Sequence, residues 1–290
     1  MKKFLATILF SLFLFPISLI TGCGGEQVAD KPANNFSGES VKLGMITRLN
    51  TDEKNMGDAL DKAAENLGVK DTKHLPKFYE NFSKMQMGLE AGDVAAISTY
   101  NCVANYLIAN NSKFEIVPHF AINKLNDYFC FAVRKDETQL KADLDKVIDE
   151  MKSDGSLDKL INEYITNPEK GKTPPKVEIP KTEGADTIKI GVTGDLPPLD
   201  YVSADGKPAG FNTALLAEIA KRSGKNIEVV DIDSSARAAA LNSKLIDVIF
   251  WVIVPFGGDM PIDLDKPEGL ELSAPYFKDN VAVVKLKDSK

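Results

Sequence analysis

The chain has 290 residues, long enough for one large or two medium domains, and is 43% hydrophobic and 27% charged, as folded globular proteins are. Its net charge of −7, with no basic stripe, excludes nucleic acid as a partner, because phosphate binding needs a basic face. His74 and His119 have no ligand-like spacing, which argues against a metal site, and no motif calls for a cofactor.

The first predicted element is a leader. "MKKFLATILFSLFLFPISLITGC" starts with Lys2-Lys3, continues in an apolar run from Phe4 to Ile20 broken by Pro16, and reaches a cysteine. That is the pattern of a secretory signal rather than of a spanning anchor. Ile20-Thr21-Gly22-Cys23 resembles the bacterial lipobox, so residues 1–22 are expected to be cut away and Cys23 to carry lipid. Burial of lipid methylenes would hold the protein at the outer side of the cytoplasmic membrane, in the periplasm or at the cell surface. The polar stretch 23–39 would act as a tether.

Strands and helices then alternate, which predicts an α/β fold. "VKLGMIT" reads as a strand, "MGDALDKAAENLG" as a helix stopping at Gly68, and "FYENFSKMQMGLEAGDVAAIS" as helix, Gly92 turn and strand. "CVANYLIANN" is a short helix, "KFEIVPHF" and "DYFCFAVRK" are strands, and "LKADLDKVIDEMKSDGSLDKLINEYI" is two amphipathic helices hinged at Asp154-Gly155. A linker rich in Pro, Lys and Gly covers 167–186. After it come strand "IKIGVTG", helix "FNTALLAEIAKRSG", strand "IEVVDI", helix "SARAAALNSK", buried strand "LIDVIFWVIV" and closing strand "NVAVVKLK". The halves echo each other: "VKLGM" matches "IKIGV", and Leu89 with Leu241 and Ile97 with Ile249 share an offset of 152. Beyond Cys23, Cys102 and Cys130 are either a disulfide of an exported protein or two small buried thiols.

The second half resembles the first lobe of the family 3 extracellular solute-binding proteins, which serve ABC importers of amino acids. The pieces that carry the likeness are "IKIGVTGDLPPLDYVSADGKPAGFNTALLAEIAKRSG", "ALNSKLIDVIF" and "LSAPYFKDNVAVV". In the first half, "FCFAVRKDETQLKADLDKVIDEMKSDGSLDKLINEYI" looks like that family's closing strand and tail helices. The resemblance implies a periplasmic-binding-protein-like type II fold, two α/β lobes with a hinge, in circularly permuted order. The usual second lobe would occupy 40–132, the tail helices 133–166, the linker 167–186 and the usual first lobe 187–290. Permutation predicts that Val41 and Val284 lie close together at the hinge. It also predicts that the helices from Leu140 to Ile165 pack on the second-half lobe, and that one covalent crossing near Phe131 to Lys135 joins the lobes. The rival arrangement is a tandem of two truncated copies, each with an undersized core.

In that family the ligand sits between the lobes, where strand ends and helix starts favour anions. Mapped here, the first-lobe loop is Thr193-Gly194-Asp195-Leu196, with Leu196 where the family often has an aromatic. No arginine lies between Ala238 and the C-terminus, so the family's usual carboxylate anchor is missing. Arg237 is the candidate substitute, the alternatives being a surface position or a pair with Asp231 or Asp233. Trp251 either walls the pocket or fills core. In the second lobe, Thr47, Arg48, Asn50 and Thr51 supply donors, with Arg48 either a second candidate anchor or a plain surface arginine. Ser98 and Thr99 precede Tyr100, which stands where the family usually has the aspartate for the ligand ammonium. That departure points away from an ordinary α-amino acid unless Asp195 or a cation–π contact replaces it.

The leading expectation is a monomeric, lipid-anchored receptor that captures a small polar solute, an amino acid or related carboxylate, and delivers it to an ABC permease without chemistry. One alternative is a sensor or interaction lipoprotein. The other is a dehydratase-like enzyme using Asp195 as general acid, for which no convergent acid–base pair is visible.

Overall fold

The computed structural model describes residues 40–69, 72–118, 120–166, 177–203 and 205–287. The leader, the lipobox cysteine Cys23, the tether up to residue 39 and residues 167–176 of the linker lie outside the described residues.

The first part of the chain builds β1 (Ser40–Ile46), α1 (Glu53–Asn66), β2 (Lys73–Tyr79), α2 (Phe82–Glu90), β3 (Ala96–Tyr100), α3 (Asn101–Asn110), β4 (Phe114–Ile116) and β5 (Asn126–Arg134). Helices α4 (Thr138–Ser153) and α5 (Ser156–Ile161) follow. The second part builds β6 (Thr187–Val192), a hairpin sheet of β7 (Asp195–Leu196), β8 (Asp200–Val202) and β9 (Pro208–Ala209), then α6 (Phe211–Ser223) and β10 (Asn226–Asp231). A 3-10 turn at Ser234–Ala236 leads into α7 (Arg237–Asn242), and β11 (Val248–Phe256), β12 (Leu270–Leu272) and β13 (Phe277–Leu286) complete it. Local chemistry explains the starts of the helices. Asp52 accepts from the Asn55 amide to cap α1, and Asn81 accepts from the Lys84 amide to cap α2.

The sheet runs β10-β6-β11-β5-β13-β3-β1-β2, with β12 on β5 and β4 on β13. It divides into two halves with one strand order. In the first, β1 lies parallel between β2 and β3, β3 pairs antiparallel with β13, and β13 pairs antiparallel with β4. In the second, β6 lies parallel between β10 and β11, β11 pairs antiparallel with β5, and β5 pairs antiparallel with β12. Each half therefore contains one strand from the other end of the chain. The two exchanged strands also pair with each other, Asn126–Phe129 against Phe277–Asn280.

The echo between "VKLGM" and "IKIGV" has a packing cause. Gly44 registers with Ile97 on β3, and Gly191 with Ile249 on β11. A Cβ on Gly44 would lie 3.1 Å from Ile97 and 3.2 Å from Met85 of α2. On Gly191 it would lie 2.7 Å from Ile246 and 3.2 Å from Ile232. In both halves the missing side chain lets neighbouring chain lie close on the middle strand.

An aromatic cluster holds the junction where β5, β11 and β13 meet. Phe131 lies 4.6 Å from Tyr276 and 5.0 Å from Phe250, and Phe129 lies 5.2 Å from Phe277, centroid to centroid. These side chains are buried, each stabilising the fold by about 1.5–3 kcal/mol. Helices α4 and α5 pack on α6. Arg222 of α6 ties them with a 2.8 Å pair to Asp154 and a 2.9 Å bond to the Ser156 hydroxyl. Val177 and Ile179, in the described part of the linker, rest on the same core.

Three details differ from the sequence reading. The second strand, "KHLPKFY", carries Pro76 and two lysines, which hide it; it lies at the sheet's edge, where proline is tolerated. The chain passes between the halves twice, at 126–129 and at 277–280, rather than once near Phe131 to Lys135. The ten residues of β13 are enough to pair with both halves. Val284 accordingly sits inside the first half, registered with Ile97 and one strand from β1, rather than at the hinge with Val41.

Candidate functional site

Strand ends from both halves converge on a cavity of about 30 Å³. The first half supplies Met45, Arg48, Ser98, Thr99 and Tyr100, with Met56 and Leu60 from one face of α1. Asp127 comes from the start of β5 and Trp251 and Ile253 from β11. The loop from Gly257 to Gly269 covers the space with Met260 and Leu264. At this size the cavity holds about one water, so a larger guest enters only when the halves part.

Two arginines meet here and differ in every respect that matters for a ligand. The Arg237 guanidinium is 1% exposed, and its donors are occupied. Nε donates to the Ser234 carbonyl at 3.0 Å, Nη1 to the Trp251 carbonyl at 2.7 Å, and Nη2 to the Thr47 carbonyl at 3.1 Å. Nη2 also lies 3.5 Å from Asp265, and the plane lies over the Trp251 ring with Cζ 4.5 Å from the centroid. Burial pulls its pKa down, Asp265 opposing and Arg48 adding to the shift. Asp265, fully buried, also accepts from the amides of Leu49 at 2.7 Å and Ile253 at 3.2 Å. This pair is a brace across the halves. The expectation that Arg237 anchors a ligand is corrected by those backbone carbonyls, which take the donors a carboxylate would need.

Arg48 is the opposite case. Its Nε and Nη1, the Tyr100 hydroxyl and the Trp251 indole nitrogen are buried and make no well-formed hydrogen bond, although Arg48, Tyr100 and Asp127 lie close enough to bias one another's ionisation. Burial opposes its charge, but Tyr100, Asp265 and Asp127 more than offset it and raise its pKa. Each buried donor left unpaired costs about 1–3 kcal/mol, so this group of them is poised for an acceptor. Beside them, burial pushes the Asp127 carboxyl up to about 6, with Arg48 pulling down and Asp265 pushing up.

The remaining expected residues fall outside the cavity. Thr47 donates through its hydroxyl to the Tyr79 carbonyl, and Asn50 donates through its side chain to the Asp263 carbonyl at 2.9 Å. Thr193 is buried just after β6. Asp195 accepts from the amides of Phe82 at 3.2 Å and Ser83 at 2.8 Å, sitting on the start of α2. In return, Glu80 of the first half accepts from the Ser234 and Ser235 amides at 3.0 and 3.2 Å. Helix starts expected to face a ligand anion are thus already held by the opposite half.

Cys102 and Cys130 are both buried free thiols, which corrects the candidate disulfide. Cys102 packs on Asp279, whereas Cys130 faces Lys141, Asp145 and Lys152 of α4; burial lifts its thiol to about 12. Asp127 and Asp265 went unread in the sequence. Asp127 looks like an ordinary strand start in "NDYFCFAV", and Asp265 carries no local signal, because its partners lie 12 to 216 residues away.

Residues 188–290 match the model of the bacterial extracellular solute-binding proteins, family 3. The arginine-binding extracellular protein ArtP of Bacillus subtilis (strain 168) is 28% identical over 106 residues, which are 37% of this chain and 38% of that protein. A probable histidine-binding protein of Campylobacter jejuni is 28% identical over 103 residues, 36% of this chain and 37% of that protein. The chain thus spans less than two fifths of the length of these relatives. Among solved structures, the ligand-binding component of an ABC-type import system from Staphylococcus aureus overlaps 86% of this chain and 66% of its own, at 11% identity and a TM-score of 0.43.

Proposed function

We propose that the protein is an extracytoplasmic solute-binding receptor of an amino-acid-type ABC importer, held at the membrane by lipid on Cys23 and capturing a small amino acid or related carboxylate between its halves. One observation carries the reading: the cavity between the halves gathers the unpartnered donors of Arg48, Tyr100 and Trp251 around Asp127. In the bound state the ligand carboxylate lies against Arg48, helped by the Tyr100 hydroxyl and the Trp251 indole. Asp127 takes the ammonium, supplying the carboxylate missing at Tyr100. The task is capture, closure and presentation, with the halves rocking about β5 and β13.

The circularly permuted order belongs to the same reading. In support stand the shared strand order of the halves, the exchange of β5 and β13, and the packing of α4 and α5 on α6. The lobes would be 40–132 and 187–290, with 133–166 as tail helices and 167–186 as linker. A specific observation favours a second reading, a sensing or interaction lipoprotein: the halves are already braced by Arg237 with Asp265 and by Asp195 on α2. A calorimetric and thermal-shift panel of L-amino acids and carboxylates separates the two. Saturation at 100-fold over Kd adds about 2.7 kcal/mol of stability. A folded sample that responds to none of them contradicts the receptor.

A further inference from the structure

Ligand chemistry can be narrowed from the polar and apolar residues that line the cavity, and this step rests on the solute-binding reading above. Its polar lining holds one cation with two unsatisfied nitrogens, Arg48, and one carboxylate, Asp127. Asp265 is not a second carboxylate for the ligand, because the amides of Leu49 and Ile253 and the Arg237 guanidinium surround it. One cation and one carboxylate match one α-carboxylate and one α-ammonium. Met45, Met56, Leu60, Met260 and Leu264 of the lining pack together in one hydrophobic cluster, with no titratable group among them. Met56 and Leu60 are four residues apart on α1 and so present one apolar face. Met260 and Leu264 come from the loop stitched to Asn50, whose amide donates to the Leu264 carbonyl at 3.1 Å.

We infer that the cleft selects an α-amino acid with an aliphatic or thioether side chain, such as methionine or leucine, and rejects cationic and anionic ones. A guanidinium or second carboxylate would be buried against methionine and leucine without a partner, and such a group is strongly disfavoured away from water. Methionine walls add adaptability, because their unbranched, polarisable side chains fill irregular gaps around ligands of slightly different shape. This preference departs from what the names of the two relatives say they bind, an arginine and a histidine.

The test is isothermal titration of the full chain with L-methionine, L-leucine, L-arginine and L-glutamate. Methionine and leucine binding ~100-fold or more tighter than arginine and glutamate is the expected result. Arginine or glutamate binding as tightly as methionine overturns the side-chain assignment and leaves the solute-binding reading standing. No heat or thermal shift with any amino acid or carboxylate overturns both. A second arm uses Met260→Glu, a half-buried loop position, with folding checked by its melting curve. The added carboxylate should weaken methionine ~10-fold and let arginine bind; a folded variant with unchanged preferences contradicts the placement of the side chain against this cluster.

Discussion

The two halves of the sheet share a strand order but divide the labour. The first half contributes the arginine whose donors are left without partners, Arg48, together with Tyr100 and the α1 face. The second contributes the arginine whose donors are all occupied, Arg237, with Trp251 and the covering loop. Where topology would put anion sites in both halves, at the starts of α2 and of the turn before α7, the opposite half's Asp195 and Glu80 already sit. Equivalent architecture therefore does not give equivalent chemistry: one side grips the other half, and the remaining donors line the cavity.

The largest test of this contrast is the brace. Asp265→Ala leaves Arg237 buried without its counter-charge and frees two amides, so unfolding by urea should show a loss of about 3–5 kcal/mol, and Arg237→Ala should lose a similar amount. Arg48→Ala should weaken ligand binding ~100-fold or more at little cost in stability, because it removes two buried unpaired nitrogens along with a charge that Tyr100, Asp127 and Asp265 favour. If Arg48→Ala unfolds the protein, or Arg237→Ala leaves it unaffected, the division between the two arginines fails.

Next in size is a pH effect. Burial lifts Asp127 to about 6 and Asp200 to about 7, the latter with repulsion from Asp195 added. Both lie above the unfolded value near 3.9. Folding thus favours the protonated acids, and stability rises as pH falls from 8 through 7 and 6. At pH 8 ionised Asp127 costs about 3 kcal/mol, so Asp127→Asn should raise the melting temperature there and flatten its pH profile. The same carboxylate must be ionised to hold an ammonium, so ligand affinity should fall below pH 6 and be lost in the variant. A variant that melts lower at pH 8 and still binds would contradict both roles.

The smallest expected effect comes from Asp195→Ala, which strips the start of α2 of its carboxylate. Loss of about 1 kcal/mol is expected, together with an easier opening seen by small-angle scattering. A protease site placed within 167–176 tests chain order at little energetic cost. After cutting, the pieces should stay together through α4, α5 and α6; separation would favour two independent copies.

Much of this was legible in advance. Alternating elements fixed the α/β class, and the repeated "VKLGM" and "IKIGV" marked the equivalent middle strands, because a glycine close approach leaves a local trace. Arg48, Ser98, Thr99, Tyr100 and Trp251, singled out from the sequence, all line the cavity, although Trp251 stands inside β11 rather than at its end. What stayed hidden depends on distant chain. Arg237 is neutral as a ligand anchor only because carbonyls 14 and 190 residues away take its donors. Asp265 becomes the brace through the Leu49 amide of the other half. The second passage between the halves required knowing that β13 pairs on both sides.

Trp251 is the chain's single tryptophan and stands in the cavity wall, its indole nitrogen without a partner. Its fluorescence is therefore a direct report from the cleft. Titrating L-methionine should shift or quench the emission saturably, with the same Kd as calorimetry, and Arg48→Ala should remove the response. A ligand that calorimetry shows to be bound while Trp251 emission stays unchanged would place the site elsewhere and contradict the account.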